Sequence, residues 1–222
     1  MSETKPLVQE VVKLYTSNMA SLVLPMLAIT VVRLVTSVGP GAVVYRGAYH
    51  LSGPVGFVLT LATLTALALL IPVIVAAYVA SYGMVASASL RLARGEPATL
   101  SAALQDTFAR VLPLTAVCLA SMVAYAAMRA IPLVGPITGA VTAALLAPAP
   151  VLAMAGRRAL DSLTEGASMV VESLSRRPEV PLAIFVASLV GALLTGPLSA
   201  LYELFATPFA VLLSAYYIYK LR

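Results

Sequence analysis

Long apolar runs follow one another along nearly the whole chain, separated by short polar stretches. A helix needs about 20 apolar residues to cross the ~30 Å hydrocarbon layer of a bilayer. Runs close to that length lie at residues 20–38, 55–79, 111–128, 137–155, 182–195 and 204–218. The pattern predicts an all-α polytopic integral membrane bundle with six transmembrane helices. The last two runs are the shortest, and a re-entrant pair is the alternative for them.

These runs pair into three units that share one plan. The first helix of each pair opens near a proline, namely Pro25, Pro113 or Pro181. The second opens with a Gly-Pro pair, at residues 53–54, 135–136 and 196–197. Proline is tolerated in the first turn of a helix, and a preceding glycine lets the chain reverse. The plan predicts three helical hairpins in a single transmembrane domain, residues 1–222, with repeat-like units at about 6–95, 96–160 and 161–222.

An amphipathic stretch precedes each proline-opened run. Apolar residues at helical spacing form one face in each stretch: Leu7, Val11 and Leu14 or Tyr15; Leu100, Leu104, Phe108 and Val111; Leu163, Ala167, Val170, Val171 and Leu174. This spacing predicts helices that lie in the plane of the membrane interface. The alternative is that each stretch extends the neighbouring span into water. Thr99 and Thr164 are the predicted N-caps of the second and third stretches.

Positive charges predict the orientation of the chain. With a cytoplasmic N-terminus, eleven of the 14 lysines and arginines fall on the inner side, and only Arg33, Arg46 and Arg129 fall on or near the outer side. Eight of the nine acidic residues also fall inside, and Glu203 is the exception. Short loops rich in basic residues stay in the cytoplasm. We therefore expect a multi-pass protein of the cell (plasma) membrane with both termini inside.

Composition supports a lipid environment over an aqueous one. The chain is 61% hydrophobic and 10% charged, whereas soluble domains carry about 25% charged residues. The net charge of +5 comes from residues that flank apolar runs, so no nucleic-acid partner is predicted. The single cysteine, Cys118, lies in an apolar run, which excludes an internal disulfide and a multi-cysteine metal site. Charges among residues 1–18 argue against a cleavable signal.

One segment resembles known families. The run 91–96, Arg-Leu-Ala-Arg-Gly-Glu, is followed by 100–104, Leu-Ser-Ala-Ala-Leu, and then by an apolar helix. It resembles multi-span prokaryotic and archaeal membrane proteins of unknown function, and the membrane domain attached to some glycerophosphodiester phosphodiesterases. The resemblance covers roughly residues 75–195. It implies a span, an interfacial helix and a further span, and it supplies no catalytic residues.

Three charged residues inside or beside the apolar runs are candidate functional positions, because a charge in a bilayer is costly. Arg33 lies about thirteen residues into the first run, and a side chain that snorkels to the interface is its alternative. Arg129 and Glu203 fall on the same predicted side, in the turns of the second and third hairpins. We predict an ion pair between them, with a structural tie favoured over a transport role.

No catalytic, cofactor-binding or metal site is predicted. The lone histidine, His50, has no acidic or cysteine neighbours, and it falls on the opposite side from most carboxylates, so no catalytic triad can form. A cytoplasmic site could use four acidic residues: Asp106, Asp161, Glu165 and Glu172. Charges on helix surfaces are the simpler interpretation of these.

The sequence leaves two functional hypotheses. The first is a non-enzymatic scaffold or complex subunit that meets membrane lipid, a protein partner or a second copy of itself. The second is a small transporter or channel with a path near Arg33, Arg129 and Glu203, suggested by the repeat and the helix-breaking prolines. An enzyme is not expected, because no nucleophile and base occur together. A polar cavity linking these three residues would favour transport, and a sealed apolar centre would favour the scaffold.

Overall fold

A computed structural model describes residues 7–38, 54–194 and 197–220. These parts of the chain form helices and turns without strands. The helices are α1 (Leu7–Ser17), α2 (Met19–Val38), α3 (Pro54–Ala93), α4 (Leu100–Ala109), α5 (Val111–Arg129), α6 (Gly135–Leu146), α7 (Ala149–Met154), α8 (Ala159–Arg176), α9 (Glu179–Leu193) and α10 (Pro197–Lys220). The all-α prediction is confirmed.

The three amphipathic stretches are separate helices, α1, α4 and α8. A bend of 76° separates α1 from α2. Arg110, with φ −120°, interrupts the helix between α4 and α5, and Arg177, with φ −148°, does so between α8 and α9. The helix is therefore bent or interrupted between each of the three stretches and the helix that follows it.

Of the two predicted N-caps, one is confirmed and one is wrong. The Thr99 hydroxyl accepts a hydrogen bond from the Ala102 N–H at 3.4 Å, at the start of α4. Helix α8 begins at Ala159, so Thr164 lies inside it and donates its hydroxyl to the Leu160 carbonyl at 3.0 Å. A threonine inside a helix commonly bonds back in this way.

Four helical stretches of the described chain are long and apolar enough to cross a membrane: Ile71–Ala93, Val111–Arg129, Gly135–Met154 and Pro197–Lys220. The bent pair Leu7–Ser17 and Met19–Val32 makes a fifth if it is counted as one span. By length and composition these are the helices of a membrane protein. The prediction of six spans is not confirmed, because α9 has 15 residues, or about 23 Å of helix, short of a ~30 Å layer.

Helix α3 is longer than the apolar run 55–79 that predicts it, since it has 40 residues and continues to Ala93. The turns beyond that run are rich in small residues, and Ser81, Ser87 and Ser89 are buried in them. Small side chains let helices approach closely in a membrane protein, which suits this segment to close packing.

The core lies where α2, α3 and α10 meet. Leu22, Met26, Val85, Leu212 and Leu213 are buried there. A smaller cluster joins α3, α5 and α7 through Val79, Leu114, Val117, Cys118, Ala149 and Ala153. Large apolar side chains also cover the outside, as expected of a surface that faces lipid.

Candidate functional site

Five helices enclose a cavity in the bundle. In the order α3, α5, α6, α9 and α10, each helix contacts the next, and α10 contacts α3 to close the ring. The enclosed volume is about 360 Å³, and the cavity is partly open. Pockets for small molecules begin near 300 Å³. The cavity is therefore large enough for a small organic molecule.

One face of each wall helix lines the cavity. Residues three or four apart on a helix share a face, and the lining follows this spacing: Tyr78 and Tyr82 on α3; Cys118, Ser121, Met122, Tyr125 and Ala126 on α5; Ala143 and Leu146 on α6, with its C-cap Ala147; Ala187, Ser188 and Gly191 on α9; Tyr202, Glu203, Ala206, Thr207, Ala210 and Val211 on α10. Pro150 of α7 adds to the wall. At 1.5 Å per residue, the lining face of α5 is about 12 Å long.

Polar groups are concentrated in this otherwise apolar lining. Among the described lining residues Glu203 is the only acidic one, and none is basic. The Ser199 hydroxyl lies 3.3 Å from Oε1 of Glu203, where it can donate a hydrogen bond. The Ser121 Oγ is buried and has no hydrogen-bond partner in the part of the chain that the structure describes. The wall of the cavity thus contains a carboxyl side chain and several hydroxyl side chains.

A glycine on α9 allows α10 to bring its polar residues to the cavity. A Cβ atom on Gly191 would lie 3.4 Å from the Tyr202 ring and 3.8 Å from Cγ of Glu203. These are ordinary contact distances for a methyl group, but larger side chains would displace Tyr202 and Glu203. Gly191 therefore fixes the width of the site at this point.

Arg129 lies directly behind the cavity wall. Its Nη1 donates to the Tyr125 hydroxyl at 2.7 Å, and its Nη2 donates to the Ala192 carbonyl at 3.1 Å. Ala192 is in the last turn of α9, where carbonyls lack partners within the helix. Arg129 thereby ties α5 to α9. The predicted ion pair between Arg129 and Glu203 stays a prediction, since the contacts described for Arg129 go to other groups.

Two candidate residues from the sequence cannot be placed in this site. Arg33 lies on α2, which packs against α3 and α10, but its side chain lies outside the described residues. His50 and the rest of the first predicted outer loop also lie outside them. The structure therefore relates only Arg129 and Glu203 to the cavity.

Asp106, one of the four predicted cytoplasmic acids, joins two helices. Its Oδ2 accepts hydrogen bonds from the Ser87 hydroxyl at 2.6 Å and from Nε of Arg91 at 2.9 Å, which connects α4 to α3. The bond from Arg91 holds the pKa of the Asp106 carboxyl below its usual range. The described chain contains no group of three histidine, cysteine or acidic residues that could hold a metal ion.

Two other predicted acids form ion pairs on helix surfaces. Oε2 of Glu165 lies 3.3 Å from Nε of Arg157, and Oε1 of Glu172 lies 2.9 Å from Nη2 of Arg176. The second pair joins residues four apart on α8, a common arrangement on exposed helix faces. These contacts fit charges on helix surfaces better than a cytoplasmic catalytic site.

No family model, curated protein or solved structure matches this chain. The family resemblance of residues 75–195 therefore stays an expectation, and the site rests on its own geometry.

Sequence reasoning found Glu203 but missed the residues around it. A signal was present, because polar side chains recur four residues apart inside apolar runs. Tyr78 precedes Tyr82, Ser121 precedes Tyr125, and Glu203 precedes Thr207 at this spacing. A polar face on each of three spanning helices is typical of a lined path or cavity.

Proposed function

We propose that this protein binds a small solute inside its helical bundle and acts as a small membrane transporter. The observation that carries the proposal is the cavity that α3, α5, α6, α9 and α10 enclose, with the Glu203 carboxylate in its wall. A scaffold needs no such space, whereas a solute-binding protein does.

A proline-interrupted helix beside the cavity supports transport. The segment Gly135–Met154 is one candidate span, in which Pro148 lies between α6 and α7 and Pro150 lies in the first turn of α7. Proline has no N–H group, so carbonyls one turn earlier lose their helical partner. Ala147, at the interruption, and Pro150, just after it, both line the cavity. Transporters commonly place broken helices at their substrate sites.

Reconstitution into proteoliposomes tests the proposal. Flux of a panel of small cationic, neutral and anionic solutes is measured for the wild type and for two variants of α5. Both Ala126 and its neighbour Ala127 are exposed, but only Ala126 lines the cavity. We expect Ala126→Phe to abolish flux and Ala127→Phe to preserve it. Absence of flux across the panel, or equal effects of the two variants, would contradict transport.

A scaffold role is the second candidate, favoured by the exposed faces of α4 and α8. Phe108 is 68% exposed and Leu160 is 71% exposed. On α8 the face that packs on the bundle is a different one, and it carries Ser162, Gly166 and Met169. Exposed apolar stripes of this kind fit the boundary between headgroups and acyl chains. Mass spectrometry after purification in mild detergent tests the role, and a bare monomer without lipid or protein would contradict it.

The finer topology is also proposed: six spans in three hairpins, in the plasma membrane, with both termini in the cytoplasm. The charge distribution supports it. In a Cys118→Ser background, Ser2→Cys and His50→Cys place single thiols at predicted inner and outer positions. An impermeant thiol reagent added to intact cells is expected to label only the second. Labelling of the first would reverse the orientation.

A further inference from the structure

We propose that this protein binds the headgroup of an anionic phospholipid at a cluster of arginines where two helix junctions meet. Arg110 lies between α4 and α5, and Arg157 and Arg158 lie between α7 and α8. All three residues are exposed. None of them lines the cavity, so a lipid bound here is independent of a solute bound inside the bundle.

A close contact brings the two junctions together. A Cβ atom on Gly156 would lie 3.2 Å from Nη2 of Arg110 and 3.7 Å from its Cζ, so the guanidinium lies against the Gly156 backbone. Arg157 and Arg158 follow directly, and their Cα atoms are within about 7 Å of the Gly156 Cα. Glycine suits this position, because its φ is 99° and a side chain would meet the Arg110 guanidinium. Three arginines therefore converge on one turn.

Two of the three arginines have side chains available to a ligand. Nε of Arg157 pairs with Oε2 of Glu165 at 3.3 Å. In the described parts of the chain, the side chains of Arg110 and Arg158 form neither an ion pair nor a hydrogen bond. Asp161, in the first turn of α8, is the nearest further acid along that helix, and it forms no ion pair with them there. A guanidinium can donate two parallel hydrogen bonds to a phosphate group.

Exposed apolar side chains beside the arginines favour a lipid over a soluble anion. Leu112, two residues after Arg110, is 81% exposed on α5, a helix long and apolar enough to cross a membrane. Leu160, two residues after Arg158, is 71% exposed on α8. A phosphate held by the arginines would place the acyl chains of its lipid beside this apolar surface, whereas a free phosphate ion gains nothing from it.

The faces of α8 suit a helix at the membrane boundary. At about 100° per residue, Leu160, Val171 and Leu174 lie within about 60° of one another. All three are more than half exposed. The packed face, which carries Ser162 and Met169, lies on the opposite side, and the charged side chains of the helix lie on one flank between the two. An interfacial helix divides its faces in this way, with its apolar stripe toward the acyl chains and its charges toward water.

Binding of two lipids tests the proposal. The full-length protein is immobilised in nonionic detergent and incubated with phosphatidylglycerol or with phosphatidylcholine of the same acyl chains. Retained lipid is extracted and quantified by mass spectrometry, with protein-free resin as the blank. We expect phosphatidylglycerol to bind about tenfold more tightly, because arginines near an anionic headgroup strengthen binding. We expect millimolar inorganic phosphate not to displace it.

Arginine variants show whether the cluster causes the preference. Arg110→Gln and Arg158→Gln are each expected to weaken phosphatidylglycerol binding about fivefold and to leave phosphatidylcholine binding unchanged, as removal of one basic residue near an anionic surface predicts. Arg110→Lys retains the charge and is expected to retain most of the binding, which guards against misfolding of Arg110→Gln. Arg176→Gln is the matched control, because it removes one charge at the far end of α8, where Arg176 pairs with Glu172 at 2.9 Å.

The other outcomes would overturn the proposal. Equal binding of the two lipids would exclude a preference for anionic headgroups, and equal losses in Arg110→Gln and Arg176→Gln would show that net charge and not the cluster binds the lipid. A loss in Arg110→Lys as large as that in Arg110→Gln would exclude the charge as the cause. Displacement by inorganic phosphate would replace the lipid with a soluble phosphate group as the occupant. Each result leaves the transport proposal unchanged, since the cluster lies outside the cavity.

Discussion

Replacing Gly83 with alanine is expected to weaken the junction of α3, α4 and α5. A Cβ atom on Gly83 would lie 2.5 Å from Cδ2 of Leu114 and closer still to the Thr107 methyl group. Leu114 is fully buried and Thr107 is 4% exposed, so neither side chain has open space to move into. The Thr107 hydroxyl also donates to the Ala103 carbonyl at 2.7 Å, which holds its rotamer.

The expected magnitude follows from two opposing contributions. Alanine is about 1 kcal/mol more favourable than glycine inside a helix. Overpacking of a filled core typically costs about 1–3 kcal/mol, and two simultaneous overlaps place Gly83→Ala in the upper part of that range. The net loss in free energy of unfolding is then about 1–2 kcal/mol. For a chain of this length that lowers the melting temperature by about 2–8 °C.

The single cysteine provides the assay. Cys118 is buried, so a fluorogenic thiol reagent in detergent solution reports unfolding as the temperature rises. Gly139→Ala is the matched control, because its Cβ would lie 3.4 Å from both Arg129 Cβ and the Tyr125 ring, an ordinary contact. We expect this variant to melt at or above the wild-type temperature. Equal melting temperatures for the two variants would refute the close approach of α3 to α4.

Three further predictions concern the ends of helices. Asp106→Asn is expected to lower the free energy of unfolding by about 1 kcal/mol at neutral pH. Because Arg91 lowers the pKa of Asp106, the stability advantage of the wild type persists above the ordinary pKa of 3.8 and disappears as pH falls through the folded-state pKa. An advantage that grows as the pH falls would contradict the pairing. Thr99→Ala is expected to lower the free energy of unfolding, measured in thermal melts, by about 0.5–1 kcal/mol, because it removes the N-cap of α4. Thr164→Ala is expected to have little effect, because Thr164 lies inside α8. Equal losses in the two variants would contradict the cap. Arg129→Met is expected to accelerate amide hydrogen exchange at the end of α9, because it removes the hydrogen bond to the Ala192 carbonyl. Arg129→Lys is expected to retain only part of the wild-type protection, since lysine lacks the guanidinium fork. Unchanged exchange in the methionine variant would contradict the link between α5 and α9.

Local patterns predicted the three amphipathic helices well. The stretches that begin near Leu7 and Leu100 correspond to α1 and α4, because the apolar spacing that defines an amphipathic helix lies within a few turns of chain. The start of α8 was missed because Thr164 resembles a cap in sequence. The chain leaves the preceding helix through Gly156, in a left-handed conformation with φ 99°, and enters α8 at Ala159, ahead of Thr164.

Hydropathy indicated the spans but not their full length or their packing. Helix α3 continues from the apolar run 55–79 to Ala93, and Ser81, Ser87 and Ser89 are buried in its last turns. In lipid, apolar side chains gain little by leaving the surface, so small residues can occupy the face that packs. A hydropathy pattern alone cannot detect which face of a helix packs.

The sequence by itself determined that the chain is helical and suited to lipid, because hydropathy and helical period are properties of neighbouring residues. Only the tertiary structure decided that Tyr78, Ser121 and Glu203 face one cavity. These residues come from α3, α5 and α10, and their meeting depends on how closely Gly191 and similar small residues let distant helices approach. Side-chain volumes far apart in the chain set that packing, so the position of Glu203 alone could not reveal the site around it.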